Sequence, residues 1–203
     1  MTLRAPLALL LVLLSACQAT LPVVDDQQQA WQQHRQKLQA LTQWDLRGRV
    51  ALTMDRDAWQ LNLRWQNHDP GQQIDLSGPF GAGAVRITIA DDGARLVDAE
   101  QNVYVAANAQ QLLWQTTGWA LPLENMLYWL RGLPVPGKDK IITLNGQGRI
   151  KTLQQDGWLL NVLEYAEQGD IWLPHSIELK RSGSPVDSNL HVRLVISQWV
   201  KRG

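Results

Sequence analysis

The sequence predicts a mainly β protein, an incomplete (open) antiparallel β-barrel covered by a lid of α-helices. Three observations carry that reading. From Leu46 onwards apolar and polar residues alternate in successive short runs, the period of half-buried strands. The period changes to helical spacing twice, once before the first run and again between Asn108 and Gly132. Turn-forming groups such as Asp91-Asp92-Gly93 and Asp156-Gly157 punctuate the runs at short intervals. A large sheet with one apolar face curls, and helices over its opening cover that face economically.

Composition narrows the function classes. The 203 residues carry 19 Lys+Arg against 19 Asp+Glu, so the chain has no net electrostatic hold on phosphate backbones and nucleic acid is not an expected partner. A hydrophobic fraction of 45% excludes disorder over most of the length. Trp is over-used, with 10 Trp against 3 Tyr and 1 Phe. The single cysteine, Cys17, rules out an intrachain disulfide and a thiolate zinc cluster.

Residues 1–16 read as an export signal. Arg4 supplies the positive charge, and Leu7 to Leu14 is an apolar run too short to span the ~30 Å hydrocarbon core as a permanent helix. Leu14-Ser15-Ala16-Cys17 resembles the lipobox of bacterial lipoproteins. That resemblance implies cleavage before Cys17, diacylglycerol on its sulfur and an acyl chain on its new amino group. Gln18 in place of Asp directs such a lipoprotein to the outer membrane, by analogy with enterobacterial sorting. An ordinary secretory signal is the alternative. Residues 17–26 form a lipidated tether without periodicity, and residues 27–203 form a single domain.

The domain opens with an amphipathic helix over Gln27–Leu41, with Ala30, Trp31, His34, Leu38 and Leu41 at helical spacing. Leu46–Met54 and Trp59–Gln66 follow as a hairpin about Asp55-Arg56-Asp57. Further strands are expected at Gln72–Ser77, Ala84–Ala90, Ala94–Ala99 and Asn102–Ala106. Asn108 caps a short helix reaching about Trp114, and Pro122 opens a second one at the position where its missing N–H does no harm. Leu123, Met126, Leu127 and Leu130 line one side of that second helix, and Gly132 stops it. Strands at Gly148–Gln155, Trp158–Tyr165, Leu173–Arg181 and Leu190–Val200 complete about ten in all. An outer-membrane β-barrel would show the same alternation, but the helical block and the cleavable N-terminus argue against it.

No motif for chemistry emerges. There is no G-x-S-x-G elbow and no H-E-x-x-H, and His34, His68, His175 and His191 are scattered singly. An acylated Cys17 is no nucleophile. No catalytic residue, metal site or cofactor is therefore expected beyond the covalent lipid on Cys17. The inward apolar set offers another use. Trp59, Leu61, Leu63, Trp65, Val85, Ile87, Leu160, Val162 and Leu194 from strands, with Met126, Leu127 and Leu130 from the lid, are candidates to line a cavity for acyl chains. On physical grounds alone they serve equally well as an ordinary packed core.

Three segments resemble the LolB family of outer-membrane lipoprotein receptors. They are the lipobox, the hairpin loop Leu76-Ser77-Gly78-Pro79-Phe80-Gly81, and the stretch from Leu121 to Pro134 that matches the family's lid helix and its exit. The resemblance implies a LolA/LolB-like open barrel. It also implies an acceptor that takes acylated lipoproteins from a soluble periplasmic carrier and inserts them into the outer membrane, without nucleotide or metal. A structural lipoprotein scaffolding an envelope complex and a lipid-processing enzyme are the alternatives. A monomer anchored at the periplasmic face of the outer membrane, meeting its inner leaflet, is expected. Pro79, Phe80 and Gly81 form the expected membrane-insertion loop, with Phe80 where the family carries an aliphatic residue. Pro79 second and Gly81 fourth suit a type I turn; Phe80 either projects from its tip or folds back onto the sheet.

Overall fold

A computed structural model describes residues 26–181 and 190–202. The signal, Cys17, the tether as far as residue 25 and the Ser182–Pro185 turn lie outside the described residues.

Helix α1 (Asp26–Ala40) leads into strands β1 (Gln43–Met54), β2 (Asp57–His68), β3 (Gly71–Ser77), β4 (Val85–Ala90), β5 (Gly93–Val97) and β6 (Val103–Ala106). Helices α2 (Ala109–Thr117) and α3 (Leu123–Trp129) follow, and β7 (Ile141–Leu144), β8 (Ile150–Gln155), β9 (Trp158–Gln168), β10 (Ile171–Arg181) and β11 (His191–Arg202) complete the chain. All eleven strands form one sheet in the order β6-β5-β4-β3-β2-β1-β11-β10-β9-β8-β7. Neighbours pair antiparallel, and the seam is the pairing of β1 with β11. The chain meanders out to the β6 edge, crosses through α2 and α3 to the far edge at β7, and meanders back. The lid is thus the crossover between two edges that do not pair with each other.

The count of strands exceeds the expectation by one. Ile141–Leu144 was not expected as a strand, because it follows the Pro134–Gly137 exit and spans only four residues of the pattern. Pairing with β8 makes it a strand. Helix α2 also runs past Trp114 to Thr117, where Gly118 closes it in the left-handed conformation at φ 73°.

Register irregularities interrupt three of the strand pairings, the β7–β8 one between Thr143 and Leu144, and two of them shape the middle of the sheet. One falls between Arg47 and Gly48, where a Cβ on Gly48 would lie 2.4 Å from the Val195 carbonyl oxygen, so only glycine lets β1 and β11 approach this closely. The other surrounds Pro174 in β10, which has no N–H to give the ladder. Helix α1 packs on β10 and crosses the β7–β8 turn at Gly148, where a Cβ would meet Ala30 and the Gln27 carbonyl within 2.7 Å.

The inner face is a continuous apolar core roofed by the helices. Trp pairs stiffen it. At one end of β1, β2 and β11, Trp44 lies 5.9 Å from Trp65 and 5.3 Å from Trp199. At the other end, Trp59 of β2 meets Trp119 of the α2–α3 connection at 5.4 Å. Such edge and tilted contacts add stability beyond the buried area.

Candidate functional site

The functional candidates fall in two places, the inner face beneath the lid and the β3–β4 loop. On the inner face Leu63, Trp65, Ile87, Leu160, Val162 and Leu194 are buried, and so are Met126 and Leu130 of the lid. Trp59, Leu61, Val85 and Leu127 are half-buried and pack against the same cluster. The structure brings all twelve together on one surface, and in this closed arrangement they form packed core. The buried side of α3 is Leu123, Met126 and Trp129, with Leu130 just beyond; Leu127 sits at its margin. Clefts of about 570 and 400 Å³ lie instead on the outer face of the sheet.

A residue that sequence reasoning missed ties the lid to the sheet. Gln155, at the end of β8, is 2% exposed. Its Oε1 accepts from Trp129 Nε1 (3.1 Å) and from the Val135 N–H (2.8 Å), while its Nε2 donates to the Val135 carbonyl (3.0 Å). One turn residue on, Asp156 accepts from Asn125 Nδ2 at 2.7 Å and pairs with Lys138. The Lys138 hydrogen bond, opposed by partial burial and helped by Asn125, holds the Asp156 carboxyl below its ordinary value. Arg131 is buried, pairs with no carboxylate among the described residues, and donates to the Leu41 carbonyl (2.6 Å) and the Leu127 carbonyl (2.9 Å). Burial lowers its pKa. A polar residue on a strand's buried side was the available signal, but alternation alone does not tell a buried glutamine from a solvated one.

The β3–β4 loop departs from the expected turn. Gly81 N–H reaches the Gly78 carbonyl at 3.1 Å and Ala82 N–H the Pro79 carbonyl at 3.2 Å. Phe80, however, sits at φ 57° and ψ 21°, left-handed backbone and not the third position of a type I turn. A left-handed residue with a Cβ is strained by about 1–2 kcal/mol. Its side chain does not fold back on the sheet. Phe80 is 109% exposed, the most exposed large apolar residue among those described. The loop lies against β2, at the same end of the sheet as Trp59 and Trp119.

At the opposite end, Asp45 of β1 is buried and paired to Arg202 (2.7 Å) and His68. Burial alone would raise this carboxyl, but hydrogen bonds from Arg202 and His68 outweigh it and hold the pKa below its ordinary value. The cluster ties β1, β2 and β11 together where the tryptophans pack. It has the character of a structural clasp.

Comparison with known proteins agrees with this geometry. The family described as "Outer membrane lipoprotein LolB" matches residues 42–199. The outer-membrane lipoprotein LolB of Pseudomonas putida (strain W619) is 36% identical over 174 residues, covering 86% of this chain and 82% of that protein. LolB of Pseudomonas aeruginosa (strain LESB58) is 37% identical over 174 residues, with the same coverage of both. Among solved structures, a LolA superfamily protein from Nitrosomonas europaea superposes with a TM-score of 0.55 at 8% identity, covering 87% of this chain and 93% of its own. A DUF1329 family protein from Desulfovibrio piger gives 0.54 at 10% identity, covering 87% and 92%. Those two share the fold alone. From the family match and the relatives over most of its length, the chain belongs to the LolB family of outer-membrane lipoproteins.

Proposed function

We propose that this LolB-family protein receives acylated lipoproteins from a soluble periplasmic carrier, shelters their acyl chains between sheet and lid, and releases them into the inner leaflet of the outer membrane. It is a transport protein and not an enzyme. The observation that carries the reading is the helical crossover laid over an apolar inner face between two unpaired sheet edges. Lifting such a lid exposes an acyl-sized apolar surface without breaking any strand pairing.

The driving forces fit. Three acyl chains at ~0.8 kcal/mol per CH₂ amount to tens of kcal/mol, so they do not cross water unshielded. Transfer without nucleotide runs downhill, from carrier to acceptor to bilayer. Trp59, Leu61, Val85 and Leu127, half-buried at the margin of the core, are the residues the first methylenes would meet. Cys17, carrying the lipid, holds the domain at the periplasmic face. Phe80, held outward by the loop backbone, enters the bilayer, where its burial contributes roughly 1.5–3 kcal/mol. That is too little to anchor the domain and enough to orient it.

Mature protein carrying Cys17→Ala, mixed with a carrier–lipoprotein complex and liposomes, tests acceptance and delivery separately. Acceptance should survive loss of the lipid. Phe80→Leu should deliver, and Phe80→Glu should accept cargo but fail to deliver it. A protein that never binds acylated cargo would leave a scaffolding role instead.

A further inference from the structure

The outer face of the sheet carries an unneutralised arginine cluster. Arg47 of β1 and Arg64 of β2 stand directly opposite each other, and Arg49 lies two residues along β1 on the same face. Like charges placed opposite across a sheet repel. All three are exposed, and among the described residues none makes an ion pair or side-chain hydrogen bond. They line a cleft of about 570 Å³ floored by Gly48 and Leu63, with Asn62, Ser77 and Ser197 as neutral polar neighbours. The one acid there, Asp75, is already engaged by Arg86 Nε (2.6 Å) and Gln73 Nε2 (2.9 Å). A guanidinium fork suits a phosphate geometrically, and an anion between Arg47 and Arg64 removes their repulsion.

The place of the cluster identifies the occupant. A second cleft, of about 400 Å³, shares Arg49, Asn62 and Val195 with the first and is bordered by Pro79 and the exposed Phe80. Strand residues two apart are separated by about 7 Å, close to the ~5–7 Å depth of one headgroup layer. With Phe80 at the acyl boundary, Arg49 beside its cleft stands at phosphate level, and Arg47 and Arg64 stand one such step further from the loop. We propose that the Arg47–Arg49–Arg64 cleft binds the phosphate groups of anionic phospholipids and sets the face that the domain lays on the membrane. This deepens the reading of Phe80 as a bilayer-entering residue and rests on it.

The test uses mature Cys17→Ala protein and its sedimentation with vesicles of phosphatidylcholine, with or without phosphatidylglycerol. The parent should favour the anionic vesicles, and added salt should weaken that preference. Each Arg→Gln change at 47, 49 or 64 should lower partition to anionic vesicles roughly five-fold and leave the zwitterionic vesicles unaffected. Phe80→Ser should lower partition to both. If Phe80→Ser changes neither, the loop reading fails, and the arginine variants alone decide the cleft. A triple Arg→Gln variant with an unchanged unfolding midpoint that still prefers anionic vesicles overturns the proposal. So does an equal loss on both vesicle types. So does intact vesicle binding with lost uptake from the carrier, which would make the cleft a protein dock.

Discussion

The two lid helices are held by different forces. Helix α2 buries Ala109, Leu112 and Leu113 on β5 and β6, and among the described residues no side-chain hydrogen bond ties it to a strand. Its Trp114 is 60% exposed, and the strand beneath is a four-residue edge whose Val103, Tyr104 and Val105 are exposed. Helix α3 is latched instead, through Trp129 and Asn125 to Gln155 and Asp156, with Arg131 and Lys138 locking its exit. Apolar packing is non-directional and can be exchanged for an acyl chain at little cost. Buried hydrogen bonds cannot, because each unmatched partner is penalised. This contrast predicts that the lid opens at α2 and turns about α3.

The largest effect expected from this contrast is on uptake. A disulfide engineered between α2 and β5 should abolish uptake of acylated lipoprotein, and reduction should restore it. One engineered between α3 and the β8–β9 turn should leave uptake near normal. The reverse pattern, read in a carrier-to-acceptor transfer assay, would break the comparison.

Next in size is the latch itself. Gln155→Leu keeps the volume but strands the Trp129 Nε1–H and both backbone groups of Val135. At about 1–3 kcal/mol per unmatched buried group, a loss of roughly 3–5 kcal/mol is expected in urea unfolding. Hydrogen exchange should quicken over α3 and its exit more than over α2. A midpoint indistinguishable from the parent would show that the latch holds nothing.

The alternating runs made the strands legible, since Trp59, Leu61, Leu63 and Trp65 could share a face in only one way. The lid was legible through Asn108, Pro122 and Gly132, residues that start and stop helices by local chemistry. The missed features depend on contacts far along the chain. Gln155 meets Trp129 26 residues away, and Arg131 meets the Leu41 carbonyl 90 residues away. β7 is a strand because β8 lies beside it. Whether the inner apolar set is core or cavity was likewise undecidable, because it depends on where the lid sits.

Acid sensitivity should centre on helix α1, away from both lid helices. His34 of α1 is pushed down from 6.5 to about 4 by burial, then by the charges of Arg149 and Lys37, and its ring lies 6.3 Å from that of Tyr165. Between those values the unfolded chain holds more protons than the folded one. This contribution to stability is therefore complete above about pH 6.5 and is lost as pH falls towards 4. His34→Gln should flatten that part of the profile, and exchange over α1 should be what slows at low pH relative to the parent. An unchanged slope would mean that His34 titrates freely.

The smallest effect expected is at Phe80, and its sign is what matters. The residue holds left-handed backbone, φ 57°, with a side chain that contacts almost nothing. Glycine adopts this conformation without strain but gives up more chain entropy on folding. Relief of about 1–2 kcal/mol against a cost of about 0.5–1 kcal/mol leaves Phe80→Gly more stable by up to about 1.5 kcal/mol. Phe80→Ala keeps the Cβ and the strain, and its midpoint should match the parent. Because neither change uncovers core, both should fold and accept cargo normally while delivering it poorly to liposomes. Stability gained together with delivery lost is the mark of a residue whose strain serves the membrane step. A Phe80→Gly protein destabilised by more than about 1 kcal/mol would place the ring against the sheet, and the open side of the molecule would lose its membrane-facing tip.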